Sequence, residues 1–174
     1  MVCFDHSAPT YSERSTWPRN RRPSTSGTRL SPLPAGKWLF SRLLCLKAPY
    51  FGSISPRFEV LRPDQCVVAV RKRRKVLNHI GTVHAIAMCN AAELAGGTMT
   101  EVTVPATHRW IPRGMDVQYL KKATTAMVAE ARPLDPSPTF DVAREYPVEV
   151  LIKDTAGDTV VRAVIAMWVS PKKA

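Results

Sequence analysis

Acidic residues are scarce in this chain: 14 Asp and Glu stand against 25 Lys and Arg, a formal net charge of +11. That imbalance calls for anionic partners or a heavily solvated surface, with nucleic acid, membrane surface and phosphate-bearing molecules as the candidate classes. Cysteine is sparse too. Cys3, Cys45, Cys66 and Cys89 lie far apart with no Cys-x-x-Cys pair, so neither a zinc knuckle nor a disulfide framework is indicated and a reducing, cytoplasmic setting fits. Long apolar runs are missing. The stretch from Trp38 to Cys45 is cut by Arg42, and nothing approaches the roughly 18 residues a spanning helix needs, so no membrane insertion is expected. Aromatic residues make up 7% and do not interleave with the basic runs, which leaves no stacking platform for bases and no expected nucleic-acid partner. Also absent are a His-Glu-x-x-His pair and a Gly-x-Ser-x-Gly elbow, and His79 and His84 are five apart rather than four. No metal site and no serine nucleophile are therefore expected.

What is present is enough for one core. A chain of 174 residues with 45% hydrophobic content suits a single domain and is too short for two ordinary ones. Residues 1–34 are rich in Ser, Thr, Pro and Arg and poor in periodic apolar positions. They read as a disordered or targeting-like extension, or as an overlong start of translation. From residue 35 the pattern changes. Trp38, Leu39, Phe40, Leu43, Leu44 and Leu46 recur at helical spacing until Pro49, which predicts a short amphipathic helix. Ile54 to Leu61 and Gln65 to Arg71 read as a hairpin turning at Arg62-Pro63-Asp64. Met99 to Thr107, Asp116 to Arg132, Val148 to Lys153 and Thr159 to Val169 read as further strands, the last two joined by a loop at 154–158. The Pro-rich stretch 133–147 reads as a loop. Helices and clustered strands in this order predict an α+β domain with an antiparallel sheet over residues 35–174.

Between Thr82, a candidate N-cap, and Gly96-Gly97, a candidate stop, the sequence is apolar almost all round. Such a helix belongs in an interior, so its polar residues His84, Asn90 and Glu93 carry the information. A buried Glu93 is either paired or raised in pKa towards the range of a general base. Asn78, Gly81, His84 and Ala85 surround the helix start, where free backbone N–H groups and the helix dipole favour negative charge. Gly81 permits a tight turn, and the Ala85 amide, expected near the third helical position, is a natural oxyanion donor. His84 and Glu93 are nine residues apart, on opposite sides of a helix with about 100° per residue. They cannot easily share a site within one chain, and a two-fold homodimer with paired helices would bring one copy's helix start to the other's Glu93.

Asn78-His79-Ile80-Gly81-Thr82-Val83-His84-Ala85, followed by Glu93, resembles the active-site segment of hotdog thioesterases, in which an Asn, a Gly, a His-Gly pair and an acid occur at the same intervals. Pro34 to Phe40, Ala48-Pro49-Tyr50-Phe51 and Arg109-Trp110-Ile111-Pro112 extend the resemblance to an uncharacterised bacterial branch over most of the chain. The resemblance implies a long central helix wrapped by an antiparallel sheet, dimers or tetramers, and acyl-CoA or related thioester substrates, with coenzyme A entering only as part of the substrate and no separate cofactor. It implies Glu93 as base or nucleophile, Asn78 as the residue that positions water or the carboxylate, Ala85 as the oxyanion amide and His84 as the group orienting the carbonyl. Ala85 stands where many relatives have Gly. Gly81 and Thr82 at the helix entry, and Arg109 and Arg113 around Trp110, are candidate substrate contacts, while His79 and His108 have no assigned role. The run Arg71-Lys72-Arg73-Arg74-Lys75 reads as a solvated strand end or as an attractor of coenzyme A phosphates. A non-catalytic hotdog domain that binds acyl groups or a protein is the alternative function.

Overall fold

The structure, a computed structural model, describes residues 34–135 and 138–172. The expected extension at residues 1–34 thus lies outside the described residues up to Pro34, which opens helix α1 (Pro34–Lys47). A 3-10 turn, Pro49–Ile54, follows where Pro49 sets the first helical position. Strands β1 (Arg57–Arg62) and β2 (Gln65–Val70) form the expected hairpin, with Asp64 at φ +62° in its turn. The first strand starts later than expected, because Ile54 closes the 3-10 turn and Ser55 takes φ +46°.

Helix α2 (Ala85–Thr103) is the long central element. Two expectations about it are corrected. Its N-cap is His84, whose Nδ1 accepts from the Ile86 amide at 3.1 Å, and Thr82 instead belongs to the preceding loop. At the other end, Gly96-Gly97 does not stop the helix, and Met99 to Thr103 is helical rather than strand. The glycines are there for close approach: a Cβ on Gly96 would lie 2.8 Å from Ile165 Cδ1, and one on Gly97 would lie 3.0 Å from Trp110 Cη2. Their neighbours look strand-like by composition, but Thr98, Thr100 and Thr103 return their hydroxyls to the carbonyls of Leu94, Gly96 and Met99, which satisfies those groups inside a helix.

Strands β3 (His108–Tyr119), β4 (Met127–Pro133), β5 (Arg144–Lys153) and β6 (Thr159–Pro171) complete a six-stranded antiparallel sheet in the order β1-β2-β4-β5-β6-β3. The expected continuous segment from Asp116 to Arg132 is two strands, separated at residues 120–126, where the Ala123 carbonyl accepts the Val83 amide at 2.9 Å. Nor is 133–147 all loop, since β5 begins at Arg144 and includes Pro147. The ladder tolerates this proline because β4 ends where Pro133 pairs with Val148. Pro147 lies just past that end, where its missing N–H costs no ladder bond.

One face of the sheet wraps α2. Met88, Ala91, Ala92, Leu94, Ala95 and Met99 of the helix are buried with Val148, Val150, Ile165 and Met167 of the sheet, and small residues on the helix let the two approach closely. This α+β arrangement, a long helix embraced by a curved antiparallel sheet, is the hotdog fold. No helix among the described residues is long and apolar enough to cross a membrane.

Candidate active site

The entry to α2 is built by a loop that Asn78 holds together. The Asn78 side chain accepts from the amides of Ile80 (3.2 Å) and Thr82 (3.0 Å) and donates to Thr82 Oγ1 (2.7 Å). Backbone bonds between Asn78 and Thr82 and from Gly81 to Asn78 close the same loop. Asn and Thr therefore act here on the chain itself, shaping the approach to the helix. Gly81 has φ +76°, a conformation in which a side chain would be strained, and it is exposed.

The cap sets the chemistry of the helix start. Because His84 Nδ1 accepts a hydrogen bond, its neutral ring carries the proton on Nε2, a donor on the exposed side of the imidazole. Ala85 is the first helical residue, not the third, and its amide is among the helix-end donors that have no acceptor within the helix. The two donors, an imidazole N–H and a backbone N–H, stand on adjacent residues at the positive end of the helix dipole.

Beside them lies a cavity of about 180 Å³, walled by His84, Ile86, Ala87 and Asn90 of the helix entry and by Tyr50, Ser53 and Lys75. Asn90 is buried at 5% exposure. Its Nδ2 donates to Ser53 Oγ at 3.1 Å, while its Oδ1 is buried with no partner among the described residues. A buried acceptor of this kind is costly unless it receives a donor. The sequence singled out Asn90 as a polar residue on an apolar helix without giving it a role. Ser53 carried no signal of its own, Tyr50 stood only within a segment of the resemblance and Lys75 only within the basic run 71–75, and it is folding that brings these separate segments to the helix.

Glu93 is not in that cavity, and it is not buried as expected: it is the exposed residue in an otherwise covered stretch of α2 from Asn90 to Gly97. It sits in the middle of the i, i+4 row Cys89–Glu93–Gly97. Both ends of this row touch edge strand β3, Cys89 through Tyr119 Oη at 3.1 Å and Gly97 through the Trp110 ring. The Cys89 contact also pushes the Tyr119 hydroxyl up to about 12, with burial adding to it. From His84 to Glu93 the rise is roughly 13 Å along the helix axis, so axial distance keeps the two apart. The angular argument does not hold for His84, whose cap conformation (φ −65°, ψ 139°) takes it off the helical wheel.

Arg109 and Arg113 fall elsewhere. Arg109 Nε donates to Ser170 Oγ at 3.3 Å and Arg113 stacks over Trp168 with its guanidinium carbon 3.7 Å from the ring centroid. β3 carries a bulge between Pro112 and Gly114. Arg113 is thereby turned to the sheet face that points away from α2, and neither arginine joins the helix entry or Glu93 within one chain. Three or more His, Cys, Asp or Glu side chains do not gather into a metal-holding group anywhere among the described residues.

Comparison with known proteins places these residues in a family. The profile of DUF4442, a domain of unknown function, matches residues 36–169. The solved structure of the structural-genomics protein APC5556 is 49% identical, with a TM-score of 0.71 over 81% of this chain and 92% of that one. A Pseudomonas aeruginosa protein of unknown function described as a probable thioesterase is 24% identical, with a TM-score of 0.70 over 82% of this chain and 99% of its own. A thioesterase from Haemophilus influenzae is 11% identical, with a TM-score of 0.65 over 74% and 87%. No curated protein matches the chain. The two more distant likenesses are likenesses of fold.

Proposed function

This chain belongs to the DUF4442 family, and from that premise we propose that it hydrolyses acyl-CoA or related thioesters at a site shared between two copies of the chain. The observation that carries the reading is Glu93: a carboxylate left exposed on the central helix of a hotdog domain, in a row whose neighbours pack against an edge strand. Among the described residues β3 pairs only with β6, which leaves its outer edge free there to meet a second copy, and an exposed charged group on a packed helix has a reason to persist if that copy brings a substrate to it. The reading gains support from fold neighbours described as thioesterases.

In this mechanism the thioester carbonyl oxygen faces the Ala85 amide and His84 Nε2–H of one copy. Glu93 of the other takes a proton from water as the water oxygen bonds to the carbonyl carbon. Negative charge gathers on the former carbonyl oxygen, where two preorganised donors hold it. The tetrahedral adduct then collapses, the carbon–sulfur bond breaks, and the thiolate recovers the proton from Glu93, giving carboxylic acid and free thiol. A cytoplasmic setting, where acyl-CoA is made and used, suits the free thiols of Cys45, Cys66 and Cys89.

The test is free-thiol release from short, long and aromatic acyl-CoA thioesters by the full chain and by Glu93→Gln. Loss of a general base removes about a hundred- to ten-thousandfold of rate, so Glu93→Gln should lose turnover in that range while keeping its melting temperature. Unchanged turnover would remove Glu93 from the mechanism. Absence of turnover in the unaltered chain, with acyl-CoA still raising its melting temperature, would favour a non-catalytic acyl-binding domain.

A further inference from the structure

The structure has a second, larger cavity that the mechanism does not use. It encloses about 440 Å³ between α1 and the β1–β2 hairpin, and four of its lining residues are arginines: Arg42, Arg57, Arg71 and Arg73. Its size falls within the roughly 300–1,000 Å³ usual for small-ligand sites. Four guanidinium groups around one cavity repel one another, and an anion between them relieves that repulsion.

The protein supplies little of it. Arg57 pairs with Glu59. Arg42, Arg71 and Arg73 have no carboxylate partner among the described residues. Arg42 lies over the Trp38 ring, 5.5 Å from its centroid. Arg73 reaches the Ser53 carbonyl at 3.4 Å and Ser55 Oγ through Nη2, which fixes the fork of its guanidinium, while its Nε is buried and has no partner. A guanidinium held in place is preorganised for an anion, and its planar fork matches the oxygens of phosphate. Arg71 and Arg73 come from the basic run 71–75. Arg73 is extended (φ −155°, ψ 160°) ahead of a 3-10 turn at Arg74–Val76; Arg71 and Arg73 line this cavity, and Lys75, inside that turn, lines the smaller cavity beside His84. The chain from Tyr50 to Pro56 forms a wall of both cavities.

We propose that the arginine-lined cavity between α1 and the β1–β2 hairpin is a binding site for a phosphate-bearing ligand. The same chemistry is offered by a nucleotide phosphate or by a phospholipid headgroup, and the site stands whether or not the chain turns over thioesters.

The test measures binding of the full chain to three probes: inorganic phosphate and adenosine 3′,5′-bisphosphate by calorimetry, and phosphatidic acid vesicles against phosphatidylcholine vesicles by flotation. Each is repeated with Arg71→Gln, Arg73→Gln and, as an equal loss of charge on an exposed residue outside the cavity, Lys122→Gln. Binding of at least one probe, weakened tenfold or more by Arg71→Gln or Arg73→Gln and less than twofold by Lys122→Gln, is the expected result. Saturable binding of the bisphosphate without flotation names a soluble nucleotide ligand, and flotation alone names a lipid headgroup. Arg71 is exposed and makes no side-chain bond among the described residues, so its variant tests the site even if Arg73→Gln loosens the wall it holds. No binding to any probe, or equal weakening by all three variants, overturns the proposal.

Discussion

The Trp110 indole closes over Gly97: a Cβ at that glycine would lie 3.0 Å from Cη2 of the ring, and the indole Nε1 donates to Glu101 Oε2 at 2.6 Å. Helix and edge strand are thus pinned together at a position where a larger side chain would press on the ring. Gly97→Ala gains roughly 1 kcal/mol of helix propensity but must displace a ring held by a charge-assisted hydrogen bond, and overpacking typically costs about 1–3 kcal/mol. The variant is expected to be less stable in urea unfolding by about 1 kcal/mol, and Trp110→Leu in the same chain should remove most of that difference. A Gly97→Ala protein more stable than the unaltered chain would show that the ring moves freely.

His84 has two separable parts in the structure, a cap and a donor. His84→Ala loses both, and helix N-caps are typically worth about 1 kcal/mol. His84→Asn keeps a side-chain acceptor for the Ile86 amide and loses the imidazole Nε2–H. Chemical denaturation should therefore find His84→Asn close to the unaltered protein and His84→Ala weaker, while thioester turnover falls in both. Full turnover in His84→Asn would reduce His84 to a structural cap.

Glu130 sits where β2, β4 and β5 meet. Burial alone would raise its carboxyl, but Arg132, Lys153 and Gln65 outweigh that and hold it below the usual carboxylate range. Arg132 Nη2 lies 2.7 Å from Oε1 and Lys153 Nζ 3.4 Å from Oε2. Since the folded pKa is depressed, the stabilisation is present above the unfolded value near 4.3 and is lost as pH falls through the folded value. Glu130→Gln should cost about 1 kcal/mol at pH 7, and the gap between the two proteins should narrow below about pH 4.3. A gap that does not change between pH 7 and pH 3 would show that the ion pairs contribute nothing to stability.

Much of the architecture could be read from local patterns. The spacing of Trp38 to Leu46 with Pro49, the turn residues Arg62-Pro63-Asp64 and the loop 154–158 each state their own conformation, because periodicity and turn chemistry act over a few residues. The same locality explains the errors. Gly96-Gly97 reads as a stop because glycine weakens helices in isolation, yet both glycines pack tightly inside the helix against Ile165 and Trp110. Met99 to Thr103 reads as strand because threonine favours strands until its hydroxyl finds a helix carbonyl. Thr82 reads as a cap until His84 is seen to cap instead.

The sequence by itself determined the long apolar helix, its polar exceptions His84, Asn90 and Glu93, the tight turn at Gly81, and the basic excess. All of these rest on residue chemistry and short-range spacing. Tertiary structure alone decided that Glu93 is exposed beside an open edge strand, that Asn90 is buried with an acceptor to spare, and that Arg42, Arg57, Arg71 and Arg73 surround one cavity. The physical reason is sequence separation: these groups meet because α1, a hairpin and a central helix close around each other, and which side chains share a cavity is set by that closure rather than by any neighbour along the chain.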